Sequence, residues 1–287
     1  MNGTGSRRPS PALTSPSNPR IRAAAALRDP RERRRRGLTL VDGAREARRA
    51  LEAGVAVVEA FVCEPLLAGP DARAALDRLS EQQVEIMATG EEAFAKLAFG
   101  SRAEGIALVI KPPSLRLDDL ALPLDALVIV LEGVEKPGNL GAVLRSADGA
   151  GADAVIAASP RTDLMHPNVI RASAGTCFAL PLASAPNDDV IGWLREHDLR
   201  IHPARVEGAL AYDHADLTGG TALVLGAEDH GLSDAWRGHD MIPVHLPMRG
   251  IADSLNVSAS AAVLLYEARR QRDRLDPSAT QEPTNRP

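Results

Sequence analysis

Three short polar segments, each directly after an apolar run, hold the side chains of this sequence that could do chemistry. In the first, Asn139 lies between two glycines at an expected helix start, and Arg145 follows six residues later. A helix start presents free backbone N–H groups, which suit an anionic ligand such as a phosphate. The same residues also fit a plainer interpretation, an asparagine that caps a helix and an arginine exposed to solvent.

The other two segments supply a carboxylate, a hydroxyl and a second amide. Glu228 lies in a turn between Gly226 and Gly231, whose lack of side chains permits close backbone approaches. Ser254 and Asn256 open an amphipathic stretch, where they could also be helix caps and nothing more. All three segments follow expected strands of one domain, at the sheet edge where open α/β folds bind ligands, and this conjunction predicts a shared site.

The elements that must position these residues alternate between strands and helices. ALVIVLEGV at 126–134 is too uniformly apolar for a surface strand and indicates a sheet covered on both faces. Further strands are predicted at 153–158, 178–183, 199–204, 221–228 and 241–247, and helices at 140–150, 167–174, 188–197 and 254–272. The predicted fold class is therefore α/β, with a mainly parallel sheet and helices on both faces.

Shifts in composition divide the chain into regions. Residues 1–20 are rich in Ser, Pro and Arg and are predicted to be a disordered basic tail, and residues 274–287 a second disordered tail. A smaller α/β domain is expected at 21–110, a linker with paired prolines at 111–125, and the larger domain at 126–273.

Composition and missing motifs exclude several classes of protein. With 45% hydrophobic and 25% charged residues and no long apolar run, the sequence predicts a soluble protein with no membrane partner. Cys63 and Cys177 are isolated, which fits a reducing, cytoplasmic setting and predicts no metal site. The glycine-rich loops of ATP- and NAD-binding proteins and the HExxH and GxSxG motifs are absent from the sequence.

The charge of the chain is unevenly distributed. Residues 1–36 hold ten Arg against Asp29 and Glu32, although the whole chain carries a net charge of −5. A basic arm on an acidic body is typical of chains whose arm binds a polyanion, so RNA is the first candidate partner. The expected phosphate contacts are Arg33, Arg34, Arg35 and Arg36. A solvated tail without a partner and an organellar transit peptide are the alternatives.

Taken together, the three polar segments resemble the SpoU or TrmH branch of the SPOUT superfamily, the knotted RNA ribose 2′-O-methyltransferases that use S-adenosylmethionine. The resemblance rests on NLGAVLR (139–145), LGAEDHGL (225–232) and IPVHLPMRGIADSLNVSASAAVLLYE (242–267), which agree with the family in order and spacing. Less sharply, the first domain resembles the family's ribosomal-protein-L30-like substrate-binding domain.

This resemblance implies a C-terminal trefoil knot, an exception to the rule that protein chains are unknotted. It implies that S-adenosylmethionine lies among the knot loops, against Leu225, Gly226, Ala227, Ile242, Leu246, Met248, Ser254 and Leu255. The implied active-site residues are Asn139, Arg145, Glu228, Ser254 and Asn256, with Arg145 and Arg171 as RNA contacts. Lys136 departs from the Asp that many members have at this position, which is expected to change the charge of the loop and not the reaction.

The implied function is methyl transfer to a ribose 2′-hydroxyl in ribosomal (23S) RNA. Transfer RNA as the substrate, a non-catalytic RNA-binding protein on the same fold and a Rossmann dehydrogenase are the alternatives. The resemblance nominates Arg145 as the activating residue, but a guanidinium with a pKa above about 12 is a poor base, so Arg145 is expected to clamp the phosphate 3′ of the target ribose. The final helix is implied to join two subunits in a homodimer, with a core-facing helix as the alternative.

Overall fold

The computed structural model describes residues 12–99, 103–205 and 209–275. Their contacts divide the chain into two compact units, with the division between Pro112 and Pro113. Each unit has its own sheet and its own buried core. Mixed α/β structure is therefore present in both halves of the chain.

The first unit is built on a four-stranded sheet with the strand order β1-β4-β2-β3. Its strands are β1 (Thr39–Asp42), β2 (Val57–Val62), β3 (Ile86–Ala88) and β4 (Ile106–Ile110). Its helices are α1 (Pro19–Ala25), α2 (Pro30–Arg36), α3 (Ala44–Glu52), α4 (Gly69–Glu81) and α5 (Glu91–Phe94). β4 pairs antiparallel with β1 and β2, whereas β2 and β3 are parallel.

The start of the chain belongs to this unit more closely than its composition suggests. Residues 12–18, predicted as part of a disordered tail, are ordered, because the Leu13 N–H donates to the Ala88 carbonyl at 2.8 Å and the Leu13 carbonyl accepts from Gly90 at 3.0 Å. Further along, Ile21, Ala24 and Leu27 are buried in the same core as Phe61 and Phe94. The basic arm is therefore part of a folded domain from residue 12 onward, and residues 1–11 lie outside the described residues.

The second unit contains a five-stranded parallel sheet with the order β7-β6-β5-β10-β8. Its strands are β5 (Leu127–Glu132), β6 (Ala154–Ala158), β7 (Leu182–Ala185), β8 (Arg200–Pro203) and β10 (Thr221–Leu225), with β9 (Leu210–Ala211) and β11 (Val244–His245) in a separate two-stranded sheet. Its helices are α6 (Pro137–Ala150), α7 (Pro167–Ala172), α8 (Asn187–Glu196) and α9 (Val257–Leu275).

Strands β5 and β10 form the centre of this sheet and explain where a site can form. They pair in parallel with Leu131 beside Leu225, so the loops that leave their carboxyl ends start next to each other. From β5 the chain goes on to β6 and β7 on one side, whereas β8 and β10 lie on the other. Such a switch in strand order leaves a crevice at the carboxyl edge, where open α/β sheets bind ligands.

Helices cover both faces of the five-stranded sheet. On one face Val190, Trp193 and Leu194 of α8 belong to the same buried core as side chains of all five strands. On the other face α6 lies between α7 and α9. Every residue of β5 is buried, as its uniformly apolar sequence predicts. The prediction of a mainly parallel α/β sheet is confirmed.

Three local predictions differ from the structure. The strand expected at 178–183 begins only at Leu182 and continues to Ala185 as β7, because the chain forms a 3-10 helix at Thr176–Phe178. The strand expected at 241–247 is reduced to the two residues of β11, which pair with β9 and not with the main sheet. The linker expected at 111–125 is partly core, because Leu120 lies in the core of the second unit and Leu117 and Leu122 pack against it. Interspersed Pro and Asp residues hid this apolar spacing.

Gly141 determines how closely α6 packs on α7. A Cβ at Gly141 would lie 2.4 Å from the Ala172 Cβ and 2.8 Å from the Ser173 nitrogen. We expect Gly141→Ala to lower the free energy of unfolding by up to about 2 kcal/mol, because an overpacking cost of about 1–3 kcal/mol exceeds the gain of about 1 kcal/mol in helix propensity. Gly138→Ala, with nothing within 4 Å of its Cβ, is the matched control and should be neutral or slightly stabilising. Urea denaturation compares the two, and equal stabilities would contradict this packing.

His202 in β8 links stability to pH. Its side chain is 1% exposed, and its Nδ1–H donates to the Ile242 carbonyl at 3.2 Å. Burial, with a smaller contribution from Arg200, lowers the pKa of His202 from 6.5 to about 4. Between these two pH values the unfolded chain binds a proton at His202 that the folded chain does not. The free energy of unfolding therefore has its full value above pH 6.5 and decreases as the pH falls towards 4.

We expect His202 alone to remove up to about 3 kcal/mol of unfolding free energy between pH 6.5 and 4. His202→Asn retains an N–H donor but does not titrate, so its stability should change less over this range. Chemical denaturation at a series of pH values measures the difference between the two proteins. Parallel curves would show that His202 does not control the acid sensitivity.

Candidate active site

Three side chains that are distant in the sequence meet beyond the carboxyl ends of β5 and β10. The Asn139 Nδ2 donates to Glu228 Oε1 at 2.6 Å, and the Asn256 Nδ2 donates to the same oxygen. Asn256 Nδ2 also donates to Asn139 Oδ1 at 3.3 Å. We call these three residues the amide–carboxylate cluster. It joins the three segments that the sequence singled out.

A different element positions each member of the cluster. Asn139 lies in the first turn of α6, which begins at Pro137 because the fixed φ of proline suits that position. Glu228 lies in the loop that follows β10. Asn256 precedes α9, and its Oδ1 accepts from the N–H and the hydroxyl of Ser258 at 2.9 and 2.6 Å. Asn256 is thus a helix cap, as its type allows, and its Nδ2 remains to bind Glu228.

Lys136 adds a cation to the cluster. Its Nζ pairs with Glu228 Oε2, and the side chains of Lys136 and Glu228 are 71% and 26% exposed. The hydrogen bond from Lys136, supported by those from the two amides, holds the pKa of Glu228 below its usual value and raises the pKa of Lys136. Lys136 therefore does more than change the charge of the loop, because it keeps Glu228 ionised and makes it a weak base.

A cavity of about 360 Å³ opens beside the cluster. Six of the predicted site residues line it: Leu225, Gly226, Ala227, Glu228, Ser254 and Leu255. A smaller cavity of about 150 Å³, on whose wall Asn139 and Lys136 lie, also has Glu228 in its lining. The Glu228 carboxylate therefore marks the junction of two spaces, one large and one small.

A third cavity, of about 120 Å³, adjoins the large one. Four predicted cofactor contacts line it: Leu246, Met248, Ser254 and Leu255. Ile242, the remaining predicted contact, is in the lining of neither the 360 Å³ nor the 120 Å³ cavity. Its N–H donates to the Ile201 carbonyl at 2.9 Å, so Ile242 extends the edge of β8 and does not face these spaces.

The two adjoining cavities suit a nucleoside-sized ligand such as S-adenosylmethionine, since their size falls in the range of small-molecule pockets, about 300–1,000 Å³. Gly226 determines the course of the backbone that lines the larger of these cavities. A Cβ at Gly226 would lie 2.2 Å from the Gly231 carbonyl carbon, so the loop can fold back against the strand end only when this position is glycine. The residues present fit the cofactor that the sequence resemblance implies.

Arg145 is not joined to the cluster by a hydrogen bond or ion pair among the residues that the structure describes. Arg145 is exposed on α6, and among the residues that the structure describes its side chain has no hydrogen bond or ion pair. Six residues along a helix is a rise of about 9 Å, and at 3.6 residues per turn Arg145 projects from a different face of α6 than Asn139 does. Arg171 is half-buried on α7, the helix that packs against α6.

The predicted run of RNA-binding arginines divides by burial. Arg33 is 5% exposed, and its Nη1 donates to the Leu27 and Arg28 carbonyls at 3.0 Å each. Arg33 therefore stabilises the fold, and its buried side chain does not contact phosphates, contrary to the sequence prediction. Arg36 donates to the Ala23 carbonyl at 2.6 Å, and Arg35 pairs with Glu32 at 2.6 Å. Arg34 remains as an exposed member of the run.

A second polar group, which the sequence analysis missed, lies at the end of β5. Glu132 is 7% exposed and accepts hydrogen bonds from Asn187 and Ser233. The signal that could have found it is a carboxylate at the end of an otherwise apolar buried strand. Among the described residues, no group of three or more His, Cys, Asp or Glu side chains could hold a metal ion, and no helix is long and apolar enough to cross a membrane.

Residues 126–266 match the model of the SpoU rRNA methylase family, and residues 18–107 match the MRM3-like substrate binding domain. Over 281 residues the chain is 31% identical to the 23S rRNA (uridine(2479)-2′-O)-methyltransferase of Streptomyces viridochromogenes, covering 93% of this chain and 95% of that relative. The chain belongs to the SpoU rRNA methylase family.

Other relatives of this SpoU-family chain align over a shorter region. It is 38% identical over 154 residues to the 23S rRNA (guanosine-2′-O-)-methyltransferase RlmB of Coxiella burnetii, which covers 53% of this chain and 62%, less than two thirds, of that relative. The crystal structure of the SpoU methyltransferase AviRb from Streptomyces viridochromogenes in complex with AdoMet matches with a TM-score of 0.79 and 30% identity, covering 89% of this chain and 99% of that one.

Proposed function

We propose that this SpoU-family protein transfers a methyl group from S-adenosylmethionine to a ribose 2′-hydroxyl of 23S rRNA in the cytoplasm. The observation that carries this proposal is the position of Glu228 at the junction of two cavities, where a methyl donor and a hydroxyl acceptor can lie side by side. The names of two relatives, which give 23S rRNA and a 2′-O position, support the substrate. AviRb in complex with AdoMet supports the cofactor.

The chemistry requires alignment more than strong acid–base groups. Methyl transfer to a hydroxyl is an in-line displacement, and positioning of the reactants can contribute up to roughly 7–11 kcal/mol in model reactions. When bound, S-adenosylmethionine supplies an electrophilic methyl group. Glu228, fixed by Asn139 and Asn256, holds a negative charge where a cationic ligand centre is favoured, while its lowered pKa makes it a weak general base.

Arg145 supplies the remaining function at the acceptor. Its exposed guanidinium binds the phosphate 3′ of the target ribose and stabilises the developing alkoxide, while the proton passes to phosphate or water. Arg171, on the neighbouring helix, adds a second RNA contact. Ser254 offers a hydroxyl in the walls of both cofactor cavities, and Leu246, Met248 and Leu255 cover the ligand with apolar surface.

The first unit serves as an L30-like domain that selects the RNA. Its match to the MRM3-like substrate binding domain supports this role. Arg22 on α1 and Arg31 and Arg34 on α2 are exposed, so they present charge to phosphates. With only eight aromatic residues in the chain, shape and phosphate contacts contribute more to recognition than base stacking.

The double variant Arg31→Gln/Arg34→Gln is expected to weaken RNA binding and to reduce the slope of log K against log salt by about 1–2, since each phosphate contact contributes roughly 0.7–0.9. Filter binding at several salt concentrations measures the slope. Arg78→Gln on α4, which removes an exposed arginine paired with Glu81 at 3.0 Å, is the matched control. An unchanged slope would exclude α2 from the interface. Deletion of residues 1–36 is unsuitable because it removes part of the core.

A trefoil knot and a homodimer complete the proposal. The knot is supported by the match of residues 126–266 to the SpoU rRNA methylase family, whose fold the sequence resemblance implies to be knotted. The dimer is supported by apolar surface on the same helix, where Val263 and Tyr266 are 38% and 53% exposed. Exposed apolar side chains that lie together on one helix often mark an interface, and here we expect the partner to be a second copy of the chain.

The direct test is methyl transfer to RNA. Unmodified 23S rRNA is incubated with labelled S-adenosylmethionine and the protein, and ribose methylation is mapped by resistance to alkaline hydrolysis. We expect one protected linkage with wild type, none with Glu228→Ala, and wild-type methylation with Asp234→Asn, a matched acidic position 92% exposed in its side chain. Label on a base, or transfer to tRNA alone, would overturn the proposed function.

A further inference from the structure

Outside the cluster, a buried carboxylate fastens the loop that follows β10. Glu132 Oε2 accepts from the Ser233 N–H at 2.8 Å, and its Oε1 accepts from the Ser233 hydroxyl at 2.5 Å and from Asn187 Nδ2. Charge-assisted hydrogen bonds in a buried setting are strong and directional. They fix the position of Ser233, which directly follows Leu232 in the wall of the 360 Å³ cavity.

Ser233, which Glu132 fixes, in turn binds the side chain of Arg205. The Ser233 carbonyl accepts from Arg205 Nη2 at 2.9 Å, and the Arg205 N–H donates to the Val244 carbonyl at 2.9 Å. Arg205 is half-buried, and it lines both the 360 Å³ and the 120 Å³ cavities. A guanidinium is therefore oriented at the boundary of the two spaces that suit the cofactor.

The charges around these cavities indicate which group of the cofactor binds next to Arg205. S-adenosylmethionine has a single anionic group, the carboxylate of its methionine part, beside an ammonium and a sulfonium. Glu228 in the large cavity and Asp253 in the small one are acidic. Arg237 also lines the large cavity, where it pairs with Asp234 at 2.7 Å, but it is not in the lining of the small cavity. Arg205 is the basic residue that both cavities share, and a guanidinium matches the geometry of a carboxylate.

We propose that Arg205 binds the carboxylate of the methionine part of the cofactor, and that Glu132, acting through Ser233, is the positioning residue for this contact. The assignment rests on the proposed function, since it takes S-adenosylmethionine as the ligand. It separates recognition of the nucleoside part, which the loop backbone and apolar side chains provide, from recognition of the amino-acid part.

Binding of two ligands tests the assignment. Isothermal titration calorimetry compares S-adenosylmethionine with its decarboxylated form in wild type, Arg205→Met, Arg205→Lys and the control Arg237→Met. We expect wild type to prefer S-adenosylmethionine by at least about 10-fold, as a charge-assisted contact requires. Arg205→Met should bind S-adenosylmethionine about 10–100-fold more weakly and the decarboxylated form equally well or better, which abolishes the preference. Arg205→Lys should restore part of the preference, and Arg237→Met should retain it.

Glu132→Gln tests the positioning role. It should reduce the preference for S-adenosylmethionine several-fold while thermal melting shows a folded protein. Equal loss of both ligands in Arg205→Met or in Glu132→Gln would show a structural role and overturn the assignment. Equal binding of both ligands by wild type would also overturn it but leave the proposed function standing. If wild type binds neither ligand, the proposed function fails together with the assignment.

Discussion

Gly226→Ala is expected to raise the Kd for S-adenosylmethionine by roughly 100-fold or more. The added Cβ would lie 2.2 Å from the carbonyl carbon and oxygen of Gly231 and 2.5 Å from the Leu232 nitrogen. These are backbone atoms, so no side-chain rotation relieves the overlap and the loop must move. Because the same loop forms the wall of the 360 Å³ cavity, the ligand loses its binding surface. Isothermal titration calorimetry measures the change.

Gly231→Ala is the matched control, because nothing lies within 4 Å of its Cβ. Its φ of +64° makes alanine unfavourable by about 1–2 kcal/mol, so Kd should rise by no more than roughly 10–30-fold. Thermal melting checks that both variants fold. Similar affinities for the two variants would show that the close approach at Gly226 does not shape the cavity.

Arg145→Lys is expected to lower kcat by about 100–1,000-fold while the Kd for S-adenosylmethionine stays unchanged. Lysine retains the charge but loses the planar pair of N–H donors that can hold a phosphate and an alkoxide together. The separation of kcat from cofactor binding is expected because Arg145 is in the lining of neither cofactor cavity. Single-turnover methyl transfer with saturating RNA measures kcat.

Asp148→Asn is the control for Arg145→Lys, since Asp148 is also exposed on α6 and lies three residues further along. It should leave turnover and cofactor binding near wild type. Near-normal turnover of Arg145→Lys would contradict the phosphate clamp. A parallel loss of cofactor affinity would place Arg145 in the cofactor site instead.

The candidate site could be predicted from the sequence where it depends on strand ends. Asn139 and Glu228 each follow a strand whose apolar pattern is unmistakable, and parallel strands bring such segments to one edge. The pairing of β5 with β10 provides that edge. Asn256 does not follow a strand of this sheet, because β11 pairs with β9. The family resemblance then supplied the roles, which spacing alone does not contain.

Contacts between distant polar residues escaped prediction. Lys136 and Glu228 are 92 positions apart, and Glu132 and Ser233 are 101 positions apart, so no local pattern reveals either pair. The roles of Arg33 and Arg36 were hidden for a different reason. A run of arginines suggests a solvated surface. In the two turns of α2, however, the side chains of Arg33 and Arg36 turn back towards the domain and donate to backbone carbonyls.

Arg272, near the end of α9, connects this helix to the parallel sheet. Arg272 donates to main-chain oxygens at the amino edge of the central strands, those of Asp125, Ala126, Leu217 and Gly219. A growing polypeptide that has not yet emerged past this arginine leaves those oxygens to water and its last helix unanchored. We therefore expect a product that stops before Arg272 to be less stable than the intact protein.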